Sequence, residues 1–174
     1  MESTEHHMKG QEKAHKESYT LPSWRVFEII KTALLVLKRF DFRKPGFDYM
    51  EIFKKEGIKI KKYSAISPEN MEEFKKISLS GWDEGMCLVF PANNQTCKMI
   101  AYNDEVDEQR KMYILFHEHG HIVLKHTEQS VNGEHEAICY ASALTVILQI
   151  AANASSNGEL SWIQGLSEDY SKTA

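Results

Sequence analysis

The spacing of apolar and polar residues along the chain predicts a series of helices and short strands. Apolar residues recur every three or four positions from Leu21 to Phe40, which is the spacing of a core helix. A short helix is predicted from Phe47 to Glu56, with Gly57 ending it. Another helix follows the pair Ser67-Pro68, which favours a helix start, and extends to Ile77.

Three segments have the patterns of strands. The residues from Ile58 to Tyr63 alternate between apolar and basic, as in a half-buried strand. Two further strands, Met86 to Phe90 and Lys98 to Tyr102, are separated by a turn-rich loop from Pro91 to Gln95. Together with the helices they predict an α+β fold, in which a small antiparallel or mixed three-stranded sheet packs against helices.

The second half of the chain is predicted to form two longer helices. The first extends from Glu105 to His126, with Asp104 as its N-cap, acidic residues in its first turn and basic residues in its last. Because apolar residues surround this helix, we expect it to be buried. The second extends from Asn132 to Ala152.

The buried helix carries His117, Glu118 and His121 in the order His-Glu-x-x-His. Positions four apart lie on one face of a helix, so the two imidazoles can bind the same metal ion. Glu118 is close enough to take a proton from a water molecule on that ion. The motif therefore predicts a zinc hydrolase site, with Zn²⁺ as the cofactor. The alternative is a buried histidine pair bonded to other protein groups.

A catalytic zinc ion usually has three protein ligands, so a third ligand is expected, and the next helix offers the candidates. Leu124 and Thr127 stand where the metzincin spacing requires Gly and His, which excludes that class. Glu134 and Glu136 are about 200° apart on a helix, so at most one of them can face the metal. We favour Glu136, because an acidic residue at 134 also suits a first helical turn; His135 ranks third.

Three other polar residues receive lesser roles. His119 lies about 200° around the helix from His117 and is predicted to support the site from outside or to lie at the surface. His126, near the predicted helix end, is interpreted as a partner of the helix dipole. Tyr140 is considered as a donor to a reaction oxyanion, although packing against Glu136 is the favoured role.

Composition supports one soluble domain. The chain has 174 residues and a net charge of −4, so nothing favours nucleic-acid binding. We predict a disordered tail over residues 1–19, a single domain over 20–154 and a partly docked tail over 155–174. Neither a secretory signal nor a membrane span is predicted. Three cysteines without C-x-x-C spacing suit a reducing cytoplasm.

Three stretches resemble the ImmA/IrrE-type metallopeptidases. They are Met99–Asn103, the segment from Gln109 to His121, and Glu134–Ala141. The first is a strand ending in Asn, the second an arginine-containing lead into the His-Glu-x-x-His motif, and the third a Glu-x-Glu-Ala helix. The chain departs from the family at Leu144–Gln149, where the family's Leu-Leu-Met-Pro helix ending is absent, and at His119, which replaces an apolar residue.

The resemblance implies a zincin-like fold and a zinc-dependent endopeptidase from a bacterial or mobile-element setting. Such proteins commonly cut a helix-turn-helix repressor, which would make a protein the partner. Carried over by position, His117 and His121 would be zinc ligands, Glu118 the base and Glu136 the third ligand.

Two other functions stay open. One is a regulatory binding module that uses a metal site to hold a partner without cutting it; the intact Glu118 argues against it. The other is a peptide deformylase, because Glu84–Leu88 is similar to that family's cysteine-ligand segment apart from the inserted Met86. The deformylase interpretation would make Cys87 a metal ligand.

Overall fold

The computed structural model describes residues 20–44, 47–81, 83–92 and 95–157. The tail predicted for residues 1–19 lies outside these ranges, as does the C-terminal tail beyond residue 157. Within them the chain forms five α-helices: α1 (Ser23–Arg39), α2 (Met50–Lys55), α3 (Pro68–Ile77), α4 (Glu108–Val123) and α5 (Val131–Asn157). It also forms three strands: β1 (Ile58–Lys62), β2 (Gly85–Ala92) and β3 (Gln95–Tyr102).

The three strands form one mixed sheet in the order β1-β3-β2. Strand β1 is parallel to β3, with Ile60 opposite Ile100, and β2 is antiparallel to β3, with Cys87 opposite Ile100. The predicted α+β fold with a small mixed sheet is therefore confirmed. Strands β2 and β3 extend further into the predicted loop than expected, and Pro91 lies in β2, an edge strand, where a missing N–H is tolerated.

Helix α4 is the centre of the fold. It packs against β2, β3 and α5, and α5 packs in turn against α1. Every residue of α4 from Ile114 to His121 is buried, as the apolar pattern predicts. The surrounding core contains fully buried side chains from each neighbouring element: Ile29 and Leu37 of α1, Ile52 and Phe53 of α2, Leu88 of β2, Ile100 of β3, and Tyr140 and Leu144 of α5.

The ends of α4 differ from the prediction. The helix begins at Glu108, and its N-cap is Asp107, whose side chain accepts a hydrogen bond from the Arg110 N–H at 2.8 Å. Asp104, the predicted cap, instead accepts hydrogen bonds from the backbone and hydroxyl of Ser64. At the other end Lys125 has a φ of 61°, which stops the helix and leaves His126 outside it.

Helix α5 also meets, from Val131 to Ala154, the length and composition of a membrane-spanning helix. The core helix of a soluble protein meets the same criteria, and this helix packs against α1 and α4. The absence of a membrane span and the cytoplasmic location stay predictions.

Candidate metal centre

His117 and His121 lie one turn apart on α4, and both side chains are buried. Their Nε2 atoms are 3.3 Å apart, so the two rings face a common point. A third ligand group reaches this point from α5. The Glu134 carboxylate places Oε2 3.1 Å from His117 Nε2 and Oε1 3.6 Å from His121 Nε2.

These three groups fit a metal ion. Zinc ligands at about 2.0–2.1 Å in tetrahedral geometry lie about 3.4 Å from one another. The separations of 3.1, 3.3 and 3.6 Å fall on both sides of that value. Two imidazole nitrogens and one carboxylate oxygen, with a fourth position left over, make a donor set that zinc accepts at catalytic sites. His117, His121 and Glu134 can therefore hold a metal ion.

The structure corrects the placement predicted for the two glutamates of α5. Glu134, not Glu136, stands beside the two histidines. Glu136 points elsewhere, because its carboxylate is bound by the Arg25 guanidinium and lies 3.1 Å from His126 Nε2. The two side chains point to different sides of α5, as their spacing predicts. The preference for Glu136 as the third ligand was wrong because its partner Arg25 lies 111 residues away in the chain, beyond the reach of a local pattern. His135 bonds the Val131 carbonyl and does not join the group.

Gly120 brings α5 close to α4 at this level. A β-carbon at residue 120 would lie 3.2 Å from the Ala137 Cα and 3.1 Å from Cδ1 of Tyr140. The two helices therefore approach more closely than side chains on both would allow. Ala137 lies one turn after Glu134, as Gly120 does after His117, so this contact brings the carboxylate within reach of the imidazoles.

The segment before β2, residues 78–81, holds the Glu134 carboxylate in place through a backbone hydrogen bond. The Gly81 N–H donates to Glu134 Oε1 at 2.8 Å, and the Gln129 amide donates to the carbonyls of Ser78 and Ser80. Burial opposes ionisation of Glu134, but hydrogen bonds with His117, His121 and Gly81 outweigh it and hold its pKa well below the usual range. Glu134 is therefore an ionised carboxylate, the form that binds a cation.

Glu118 follows His117 on the helix and is fully buried. Its carboxyl lies against Gly85, at the start of β2. Burial raises its pKa to about 8, although Ser80 and Cys87 are close enough to oppose the shift. Neither oxygen has a hydrogen-bond partner of normal geometry within the described residues. A buried carboxyl in this condition is costly for stability.

His119 and Tyr140 lie away from the candidate metal centre. His119 is buried; its Nε2 donates to Glu56 Oε2 at 2.8 Å, and its Nδ1 accepts from the Tyr140 hydroxyl at 3.0 Å. A surface position for His119 is therefore wrong. The Tyr140 hydroxyl is therefore engaged by His119, which does not support the role of an oxyanion donor. Packing of Tyr140 against Glu136 stays a prediction.

Cys87 is buried in β2 and is not a member of the His117, His121 and Glu134 group. Burial raises the pKa of its thiol well above the usual value, with the nearby Glu118 carboxyl adding to the shift. This placement gives no support to the deformylase alternative.

Two residues that contact the glutamates of α5, Gly81 and Arg25, have no signal in the sequence. Gly81 contributes a backbone N–H, which carries no side-chain signal, and Arg25 lies on α1 far from the motif. His126 had a signal, because a histidine five residues after the motif is close in the chain. Its ring contacts His121 itself, with 3.0 Å between the two Nδ1 atoms.

Comparisons of the chain with family models, curated proteins and solved structures find no significant match. The likeness to the ImmA/IrrE-type metallopeptidases therefore stays a prediction from the residues quoted above.

Proposed function

We propose that this protein is a zinc-dependent endopeptidase of the ImmA/IrrE type. One observation carries the proposal: the ligand atoms of His117, His121 and Glu134 lie within 4.8 Å of one another, and the next residue along from His117 is the buried carboxyl Glu118. A purely structural metal site needs no such carboxyl. A hydrolase needs one as a general base.

Each group of the candidate site would have a separate role in peptide hydrolysis. Zinc, when bound, would supply the Lewis acidity that activates water and polarises the scissile carbonyl. Glu118, held in its ionised form by the positive charge of the bound cation, would accept a proton from the attacking water and deliver it to the leaving amine. Glu134 would offset the positive charge of the cation, with the Gly81 N–H fixing its orientation. The His-His-Glu donor set is that of catalytic zinc in peptidases.

The substrate class rests on the resemblance. We propose that the partner is a protein, namely a helix-turn-helix transcriptional repressor of a bacterium or mobile element, and that cleavage relieves repression. The location would be the cytoplasm. Neither direct nucleic-acid binding nor membrane attachment is part of the proposal.

The first experiment measures metal content per chain after zinc is supplied to the folded protein and excess is removed. We expect about one zinc in wild type and in His135→Ala, and almost none in His117→Ala or Glu134→Ala. His135 is the matched control because it lies next to Glu134 on the same helix and bonds the Val131 carbonyl. An absence of zinc from wild type would overturn the proposal.

The second experiment compares wild type with Glu118→Gln on a library of peptides made from a bacterial proteome. Cleaved peptides are identified by mass spectrometry. We expect Glu118→Gln to retain its zinc and to cut at least about 10²-fold more slowly, the effect typical of losing a general base. Zinc binding with no cleavage by either protein would favour the non-catalytic binding module.

A further inference from the structure

A chain of hydrogen bonds connects the candidate metal centre to α1. His121 Nδ1 lies 3.0 Å from His126 Nδ1, and His126 Nε2 lies 3.1 Å from Glu136 Oε2. The Arg25 guanidinium donates two hydrogen bonds to the Glu136 carboxylate, from Nε to Oε1 at 2.7 Å and from Nη2 to Oε2 at 2.5 Å. Following these hydrogen bonds inward, the exposed fraction of each side chain falls from 29% at Arg25 to 15% at Glu136, 12% at His126 and 0% at His121.

The chemistry of each group fixes where the protons lie. A carboxylate can only accept, so His126 must carry a proton on Nε2 to bond Glu136. The Nδ1 of a neutral His126 ring is then an acceptor. The contact with His121 therefore requires the proton of His121 to be on Nδ1. This leaves the lone pair of His121 on Nε2, the atom that faces His117 and Glu134.

We propose that Arg25, Glu136 and His126 are positioning residues that hold His121 in its metal-binding tautomer and orientation. The inference rests on the proposed metal site. Partners of this kind fix ring orientation and raise the basicity of a ligand histidine, and removing one typically costs about 10–100-fold in metal affinity. Arg25 has a supporting role, because it anchors the carboxylate and connects the site to a helix from the other end of the chain.

The test is zinc affinity, measured in competition with a chromogenic chelator on the full chain. We expect His126→Leu to weaken binding by about 10–100-fold. His126→Asn should recover part of this loss, because the asparagine side-chain oxygen can take the place of Nδ1 as acceptor. Arg25→Gln should weaken binding less than His126→Leu, and His135→Ala should leave it unchanged. A merely structural role for His126 predicts equal affinities for the Leu and Asn variants, and that result would overturn the inference.

A second readout needs neither zinc nor substrate. Nitrogen-15 NMR of the imidazole rings reports which nitrogen carries the proton. In metal-free wild type we expect the His126 proton on Nε2 and the His121 proton on Nδ1, and in His126→Leu a mixture of tautomers for His121. A His121 proton on Nε2 in wild type would overturn the inference even if zinc binds. The expected tautomers in a protein that takes up no zinc would instead overturn the proposed function alone.

Discussion

The backbone of Gly85 and the carboxyl of Glu118 are in direct contact. A β-carbon at residue 85 would lie 2.7 Å from Glu118 Oε1 and 2.8 Å from Cγ2 of Ile114. Both distances are too short for normal packing. Strand β2 thus passes the proposed base with no side chain between them, and glycine at this position is what leaves room for the carboxyl.

This contact predicts that Gly85→Ala impairs hydrolysis without removing zinc. The added methyl group would push the end of the Glu118 side chain away, because Ile114 is confined in the core. A displacement of about 1 Å at a catalytic group can cost on the order of 10²-fold in rate. The measurement is peptide cleavage at matched zinc content.

Val89→Ala is the control for this variant. Val89 lies on the same strand as Gly85, and its side chain is 40% exposed, so the substitution leaves Glu118 untouched. We expect its cleavage rate to match wild type. Equal rates for Gly85→Ala and Val89→Ala would show that the Glu118 position does not limit the reaction.

The sequence predicted the local parts of this molecule well. Helical spacing and the Ser67-Pro68 start gave α3 correctly from Pro68 to Ile77, and apolar surroundings gave the burial of α4. These features depend on residues near one another in the chain, which is where pattern arguments are strongest. The position of His117 and His121 on one face of α4 is likewise a local feature, because the two residues are four apart in the chain.

The features that the sequence pattern failed to predict depend on contacts between distant elements. The choice between Glu134 and Glu136 required the position of Arg25, and the role of His126 required the turn formed by Lys125. The start of α4 was missed because two aspartates compete to be its N-cap. Asp107 is the cap, whereas Asp104 bonds Ser64, which lies 40 residues earlier.

The close approach at Gly120 predicts that Gly120→Ala destabilises the protein. Helix propensity alone would favour alanine by about 1 kcal/mol, but overpacking costs about 1–3 kcal/mol where neighbours cannot move. One neighbour is the Ala137 backbone, and the other is Tyr140, which is held by His119. We expect lower thermal stability of the metal-free protein together with weaker zinc binding, since α5 carries Glu134. A more stable variant with unchanged zinc affinity would contradict this account of the helix contact.

Glu56 is predicted to make stability depend on pH in the acid range. Burial opposes its ionisation, but the hydrogen bond from His119 and the positive charge of nearby Arg39 hold the pKa of Glu56 below its usual value. In the unfolded chain that pKa is about 4.3. The stabilisation is therefore complete above this pH and is lost as the pH falls through the lower, folded-state pKa.

Glu56→Gln should accordingly flatten the fall in stability below pH 4.3. Glutamine retains an acceptor for the His119 N–H, so the variant removes the charge without removing the hydrogen bond. The measurement is the urea midpoint of unfolding at a series of pH values. Glu72→Gln is the control. Glu72 is 71% exposed, and its carboxylate lies 3.8 Å from Lys75 Nζ in a surface ion pair, which contributes little to stability. Parallel curves for wild type and Glu56→Gln would refute the prediction.

Zinc should stabilise the folded protein through Glu134. A ligand that binds only the folded state adds about 4 kcal/mol at a thousandfold excess over its Kd. Each kcal/mol raises the Tm of a domain of this size by about 2–4 °C, so we expect a rise on the order of 10 °C that a chelator reverses. Glu134→Ala should lose almost all of this rise, because two histidines alone bind zinc weakly in competition with water. His135→Ala should keep it. An equal rise in Glu134→Ala and wild type would mean that zinc stabilises the chain from another site, and α5 would then supply no ligand.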